Sequence, residues 1–263
     1  MLLSKTILEI EQFQHQLHSF YTDIQLVDTT GSTNDDLKKI ASEANEGTVI
    51  IAKEQTAGKG QKGRSFISNK NQGIYVSILL KPTFHLKHSS LLPLLTANAV
   101  IEAIKTGCKI DAKSKWVNDV MINERKVAGI LCESSFTENH TLDWIVVGIG
   151  LNVYKQDFPE DISTIATTLE EHAPFVSISD ILVSLLNEFA LRITSFEPAQ
   201  VLEEYRGNCL HLNKTIGVIS QGKVFEATCL DIDDEGCLVV STDLHSQLHL
   251  SSVEVMLIKG DHS

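Results

Sequence analysis

Three glycines within six residues, Gly58, Gly60 and Gly63, sit in a loop that runs into a strand and not into a helix. No other feature constrains the fold as strongly. The stretch Gly58-Lys59-Gly60-Gln61-Lys62-Gly63-Arg64-Ser65 fits G-x-G-x-x-G, and it is one residue (Arg64 for Lys) away from a phosphate-binding P-loop. Both patterns work only where a helix opens at the end of the loop, because the free N–H groups of its first turn hold the phosphate. Here the polar run Phe66-Ile67-Ser68-Asn69-Lys70-Asn71-Gln72-Gly73 follows, and then the strand-like IYVSILLK at 74–81. Dinucleotide-binding and P-loop folds are therefore excluded. What survives is the local chemistry. The glycines let backbone N–H groups approach an anion closely, and Lys59, Lys62 and Arg64 add positive charge. A solvated loop with incidental lysines is the plainer alternative.

The rest of the chain places this loop in an α+β fold, a mixed sheet with packed helices. Apolar residues at helical spacing predict a short amphipathic helix over 4–20. A strand over 24–28 comes next, then a helix capped by Ser32, with Asp35 and Asp36 in its first turn, running to about Ala44. Strands are predicted over 48–54, 74–81, 114–122, 126–135 and 143–149, with a turn at 123–125. Helices are predicted over 89–106, 179–195 and 198–208. After Asn213 the texture changes to short apolar runs separated by turns at 221–222 and 233–236, which predicts a small β-barrel. The expected division is a catalytic unit over 1–210 and a small SH3-like β-barrel over 211–263.

Composition narrows the function classes. The 263 residues carry a formal net charge of −12, which argues against a general nucleic-acid or anionic-membrane binder. Charged residues interrupt the apolar N-terminus, so no signal peptide is read, and no run reaches the length of a membrane span. Five cysteines without a C-x-x-C pair predict free thiols, no zinc site and a cytoplasmic location.

Six motifs in one order carry a more specific message. They are Ser32-Thr33-Asn34; Glu54-Gln55-Thr56-Ala57-Gly58-Lys59-Gly60-Gln61-Lys62-Gly63-Arg64; Lys115-Trp116-Val117-Asn118-Asp119; Lys126-Val127-Ala128-Gly129-Ile130-Leu131-Cys132-Glu133; Gly148-Ile149-Gly150-Leu151-Asn152; and Ala166-Thr167-Thr168-Leu169. Together they resemble the catalytic region of the biotin protein ligases over about residues 25–208, and the terminal β segment resembles that family's small C-terminal domain. The resemblance implies a ligase that uses ATP to convert biotin to biotinyl-5'-AMP and then biotinylates a lysine of a biotin carboxyl carrier protein domain. It implies biotin contacts from Ser32, Thr33, Asn34, Gln55, Lys59, Gly60, Gln61, Lys126, Gly148 and Gly150. It implies ATP or adenylate contacts from Gly58, Lys59, Arg64, Lys115, Asn118 and Asn152. Lys126 and Arg64 are then the catalytic cations, Asp119 a candidate ligand for Mg²⁺ shared with nucleotide phosphates, and a homodimer is compatible with the family.

The chemistry of these residues agrees with that reading. Activating a carboxylate with ATP brings two anions together, so fixed positive charge is needed where negative charge develops. Lys126 is the best candidate to hold the biotin carboxylate and the α-phosphate; otherwise it is a solvated lysine beside a hairpin turn. Asp119 could hold Mg²⁺ with phosphates or simply close an Asn-Asp turn. Trp116 could lie by an adenine, although filling core is the safer reading. Gly148 and Gly150 let a ring approach a strand backbone or mark a bulge. Ser32, Thr33 and Gln55 offer neutral hydrogen-bonding groups suited to a ureido ring, while Ser32 could be only a helix cap.

The chain departs from the family pattern at Val117, where the family has proline, and at Lys59 and Gln61, where it has arginines. Lys59 keeps charge without the planar fork, and Gln61 loses the charge. Two other functions compete: a lipoate or octanoate ligase or transferase on the same fold, and a non-catalytic biotin sensor or DNA-binding repressor. The loop and the Lys115–Asp119 motif argue against the first. The second is disfavoured by the acidic charge, and by a segment of only about 23 residues before the first strand, shorter than the usual domain.

Overall fold

The computed structural model describes residues 13–81, 86–138, 141–220, 222–251 and 253–257. Most of the helix predicted over 4–20 lies outside these residues. Its described part holds only a 3-10 turn at Gln14–Gln16. Phe13 is buried, and Tyr21 donates its hydroxyl to Leu186 O at 2.6 Å. The described part docks onto a distant helix, to which His18 and Tyr21 both bond.

Seven strands form the main sheet: β1 (Asp23–Val27), β2 (Thr48–Ala52), β3 (Gly73–Leu80), β4 (Lys113–Lys115), β5 (Asp119–Ile122), β6 (Arg125–Phe136) and β7 (Leu142–Asn152), in the order β1-β2-β3-β7-β6-β5-β4. Only β1 and β2 run parallel; the other pairs are antiparallel. This is the expected mixed sheet. Strands β5 and β6 meet at a two-residue turn whose residues, Asn123 and Glu124, both take positive φ, as a tight hairpin requires.

The strand expected over 114–122 is interrupted. Residues 116–118 leave the ladder because Trp116 turns away, burying its ring and donating its indole N–H to Gly236 O at 2.9 Å. The Trp116–Val117 peptide is cis.

One face of the sheet is covered by α2 (Leu92–Cys108) and α4 (Ile178–Thr194), with α5 (Pro198–Asn208) packed on α2. These bury one continuous apolar core. Pro93 stands in the first turn of α2, where its missing N–H costs nothing. The segment His88–Cys108 is long and apolar enough to cross a membrane, contrary to the sequence expectation, yet its most apolar stretch is mostly buried inside the protein. It is the central core helix.

The opposite face carries α1 (Thr33–Ile40) over a smaller cluster of Leu37, Ala41, Ile50, Leu79 and Val146. Helix α1 stops four residues before the expected Ala44. A four-residue helix, α3 (Glu160–Ser163), lies after β7.

The C-terminal strands β8 (Thr215–Ser220), β9 (Lys223–Ile232), β10 (Leu238–Thr242), β11 (His245–Leu250) and β12 (Glu254–Leu257) form a second, antiparallel sheet in the order β11-β10-β9-β8-β12. Trp116, Ser90 and Arg206 all bond to this unit from the first one. All five cysteines are free.

Candidate functional site

The site lies on the face that carries α1, where strand register sets its dimensions. Gly150 pairs with Tyr75 on one side and Gly129 on the other; Gly148 pairs with Ser77 and Leu131. The ladders run through these positions without a bulge, so the glycines serve close approach. The space a Gly148 side chain would occupy is filled by the Asn34 amide, 2.2 Å from an ideal Cβ. At Gly150 it is filled by the Phe66 ring, 2.5 Å away. The two glycines lie two residues apart on one face, a separation of about 7 Å at strand rise.

Around Gly148 the groups are neutral and mutually bonded. The Ser77 hydroxyl, fully buried, donates to Asn34 Oδ1 at 2.6 Å and lies 2.7 Å from Thr33 Oγ1. Asn34 Nδ2 donates to Glu133 Oε2 at 2.8 Å. Gln55 Oε1 accepts from the Thr33 N–H at 2.9 Å, and its Nε2 donates to Ser68 Oγ at 2.9 Å. Ser32 holds the N-cap position of α1 but makes no capping bond. Its hydroxyl, without a hydrogen-bond partner among the described residues, lines the slot. That removes the reading of Ser32 as only a cap.

Around Gly150 the slot turns cationic. A bulge in the β5–β6 pairing lets Met121 face Lys126 while Val120 faces Ala128. In a regular strand, residues three apart point to opposite faces; the bulge puts Lys126 and Gly129 on one face. Lys126 Nζ then lies 2.9 Å from where a Gly129 Cβ would be, and it pairs with Asp119 Oδ1 at 2.6 Å. The Lys126 backbone is fixed from the other side by bonds to Ile165 O and from the Thr167 N–H. Lys126 is therefore a held group and not a solvated turn residue.

The resulting narrow slot is lined by Ser32, Thr33, Asn34, Gln55, Lys59, Gly60, Gln61, Asn118, Lys126, Gly148 and Gly150, eleven of the residues named from sequence, together with Phe66, Ile130 and Leu131 among others. It abuts a wider cleft formed by the whole 57–65 loop, Trp116, Val117, Leu131, Glu133 and Val253. Trp116 fills core, being 5% exposed, and its edge also lines the cleft.

The loop is an ordered turn, closed by the Gly60 N–H to Arg64 O at 2.7 Å and the Phe66 N–H to Gly58 O at 2.9 Å. Lys62 and Gly63 both take positive φ. Each of the loop's cations already has a carboxylate partner. Lys59 pairs with Asp35 at 2.6 Å, and Arg64 and Lys62 both reach Glu254 on β12. The Arg64 hydrogen bond is the main reason the Glu254 carboxyl is held below its ordinary pKa; burial opposes it, and the Arg64 and Lys62 charges add to the lowering.

Three expected contacts stand elsewhere. Asn152 is buried and donates to Thr167 O at 3.2 Å while accepting from Gln156. Lys115 lies on β4, at the sheet's far end, and lines neither cavity. Asp119 is occupied by Lys126, and among the described residues no group of three His, Cys, Asp or Glu could hold a metal. The lone carboxylate does not fit the metal role, because an ammonium already sits where the cation would be.

Sequence reasoning missed Phe66, Ser77, Glu133 and Glu254. Phe66 carried a signal, since it directly follows the loop, and so did Glu133, which closes the Lys126–Glu133 motif; Ser77 and Glu254 join the site only through long-range contacts.

A combined slot and cleft of this kind can take a molecule with a neutral hydrogen-bonding head and an anionic end, beside a polyphosphate. Comparison with known proteins agrees. Residues 26–152 match the biotin/lipoate A/B protein ligase family. The chain is 32% identical over 233 residues to a bifunctional ligase/repressor of Bacillus spizizenii, covering 86% of this chain and 70% of that one. It is 30% identical to a biotin–[acetyl-CoA-carboxylase] ligase of Mycobacterium tuberculosis, covering 84% of each. It superposes with a TM-score of 0.76 at 25% identity on the Aquifex aeolicus biotin protein ligase solved with biotin and ATP, covering 90% of this chain and 100% of that one.

Proposed function

Since the chain belongs to the biotin protein ligase family, we propose that it makes biotinyl-5'-AMP from biotin and ATP and then biotinylates a lysine of a carboxyl carrier protein domain. In the first step a biotin carboxylate oxygen bonds to the α-phosphorus and pyrophosphate leaves. In the second the lysine amine attacks the acyl carbon, AMP leaves with the bonding pair, and the amine loses its proton.

One observation carries the assignment. The slot has a neutral end at Ser32, Thr33 and Gln55 and a cationic end at Lys126, with Gly148 and Gly150 marking the distance between them. A ureido ring suits the first end and a carboxylate the second. Lys126, aimed by Asp119, stabilises the charge shared by carboxylate and α-phosphate as they meet. The loop cations face the wider cleft and take the nucleotide phosphates from their present carboxylate partners. Any Mg²⁺ enters with the nucleotide. The role of the enzyme is positioning and charge stabilisation, and no covalent enzyme intermediate is required.

The five free thiols fit a reducing cytoplasm, and a net charge of −12 argues against general binding to nucleic acid or an anionic membrane. The decisive experiment incubates the protein with ATP, Mg²⁺ and either biotin or lipoate. Biotin should support pyrophosphate release and lipoate should not; equal or greater release with lipoate sinks the assignment.

A further inference from the structure

Lys38 lies outside every motif that pointed to the function, yet it sits between two carboxylates of the site. Its ammonium is 2.9 Å from Asp35 Oδ1, one turn back on α1, and 2.6 Å from Glu133 Oε1 on β6. Asp35 also holds Lys59 of the glycine loop, and Glu133 also holds Asn34 of the slot. Four charges thus alternate in sign from the loop to the sheet: Lys59, Asp35, Lys38, Glu133. Burial alone would lower the Lys38 pKa; the hydrogen bonds and charges of Glu133 and Asp35 outweigh it, and the pKa ends raised. Lys38 therefore stays charged at neutral pH.

Glu133 lines the wider cleft, on the wall facing the loop cations. A carboxylate there repels any polyphosphate that enters, unless its charge is cancelled and its oxygens are turned away. Lys38 does both. It takes one oxygen while Asn34 takes the other.

We propose that Lys38 is a positioning residue for the nucleotide, neutralising Glu133 at the cleft wall and holding its carboxylate toward α1. The inference rests on the ligase reading, which makes the wider cleft the nucleotide site. A lysine that merely stabilised α1 through Asp35 would have no specific effect on nucleotide binding, and surface pairs of that kind are weak.

The test is steady-state pyrophosphate release, with Mg-ATP varied at saturating biotin and biotin varied at saturating Mg-ATP. Lys38→Met should raise the KM for ATP about fivefold, equivalent to about 1 kcal/mol at 1.4 kcal/mol per tenfold, and the increase should shrink at high salt. The KM for biotin should stay within about twofold, which separates lost nucleotide attraction from general damage. Lys38→Arg should restore the KM for ATP. So should the double variant Lys38→Met/Glu133→Gln, which removes the repulsive charge along with the attractive one. Lys38→Gln serves in place of the methionine variant should that one fail to fold. An unchanged KM for ATP, a parallel rise in the KM for biotin, or a double variant as impaired as the single one overturns the proposal. Absence of biotin-dependent release by the unmodified protein would instead sink the ligase reading.

Discussion

The floor of the slot and the glycine loop above it are built on opposite principles. The floor stands on strands and the first turn of α1, and its polar groups are neutral, buried and bonded to each other: Ser77 is 0% exposed, Thr33 3% and Asn34 4%. The loop stands on glycines, and its polar groups are charged and tied to carboxylates at the surface, with the Lys59 side chain 44% and that of Arg64 68% exposed. A buried hydrogen-bonded network is costly to disturb, because each orphaned partner retains its desolvation penalty. An exposed ion pair contributes only about 0.2–1 kcal/mol and is weakened by salt. The difference assigns the tasks. The floor fixes shape and recognises a neutral head without adjustment, and the loop can trade its carboxylates for phosphates at little cost.

Four changes would break or sharpen this contrast. The largest effect belongs to the charge held rigidly at the edge of the floor. Lys126→Ala should lower the single-turnover rate of adenylate formation by about 100-fold or more, as loss of a preorganised charge donor does, with the circular dichroism spectrum unchanged. Near-normal turnover would make Lys126 a bystander.

Next comes the floor itself. A methyl group at Gly148 would meet the Asn34 amide at 2.2 Å, and that amide cannot withdraw without breaking its bonds to Ser77 and Glu133. Gly148→Ala should cost about 1–3 kcal/mol in urea unfolding, the range for overpacking, and should weaken biotin binding as well. A variant as stable as the parent would show that the floor adapts.

A smaller effect is expected in the loop. Gln61 lines both cavities, where the family pattern has an arginine. Hydrogen bonds to charged groups exceed neutral ones by about 1 kcal/mol, so Gln61→Arg should slow biotinyl-AMP release roughly 5- to 10-fold. Stopped-flow dissociation on both forms measures this; equal off-rates mean that Lys59, Lys62 or Arg64 already supplies the contact.

The smallest change is predicted for the outer tie. Glu254→Gln should alter stability by less than about 1 kcal/mol, with the difference vanishing in high salt. The folded pKa of Glu254 lies below its ordinary value of 4.5. Its contribution is therefore complete above about pH 4.5 and is lost as pH falls through the lowered value. A loss well beyond this range would mean that the loop is no looser than the floor.

The same contrast explains what could be read from sequence. The loop was legible because its glycines and cations are neighbours in the chain, and their chemistry is local. The sheet was legible because strands such as IYVSILLK and WIVVGI are long and apolar. The aim of Lys126 was not, since it depends on a one-residue bulge that no periodicity announces. Ser77 reads as one polar residue in an apolar strand; its meaning comes from partners 43 and 44 residues away. The split of the 114–122 strand was hidden for the same reason: it follows from a Trp116 partner 120 residues distant. Asn152 lay inside a strong motif and still turned out to be held by the Thr167 carbonyl. Motif membership locates a neighbourhood, and hydrogen-bond accounting decides the role.

The tie between Arg64 and Glu254 spans 190 residues of chain. On a ribosome adding about 5–20 residues per second, the loop is made roughly 10–40 s before its anchor exists. The last strand of the sheet ends at Asn152, so in the later part of that interval the sheet can assemble around the slot while Arg64 and Lys62 have no Glu254 to hold them. A nascent chain can thus acquire its recognition surface well before its closing loop is fastened.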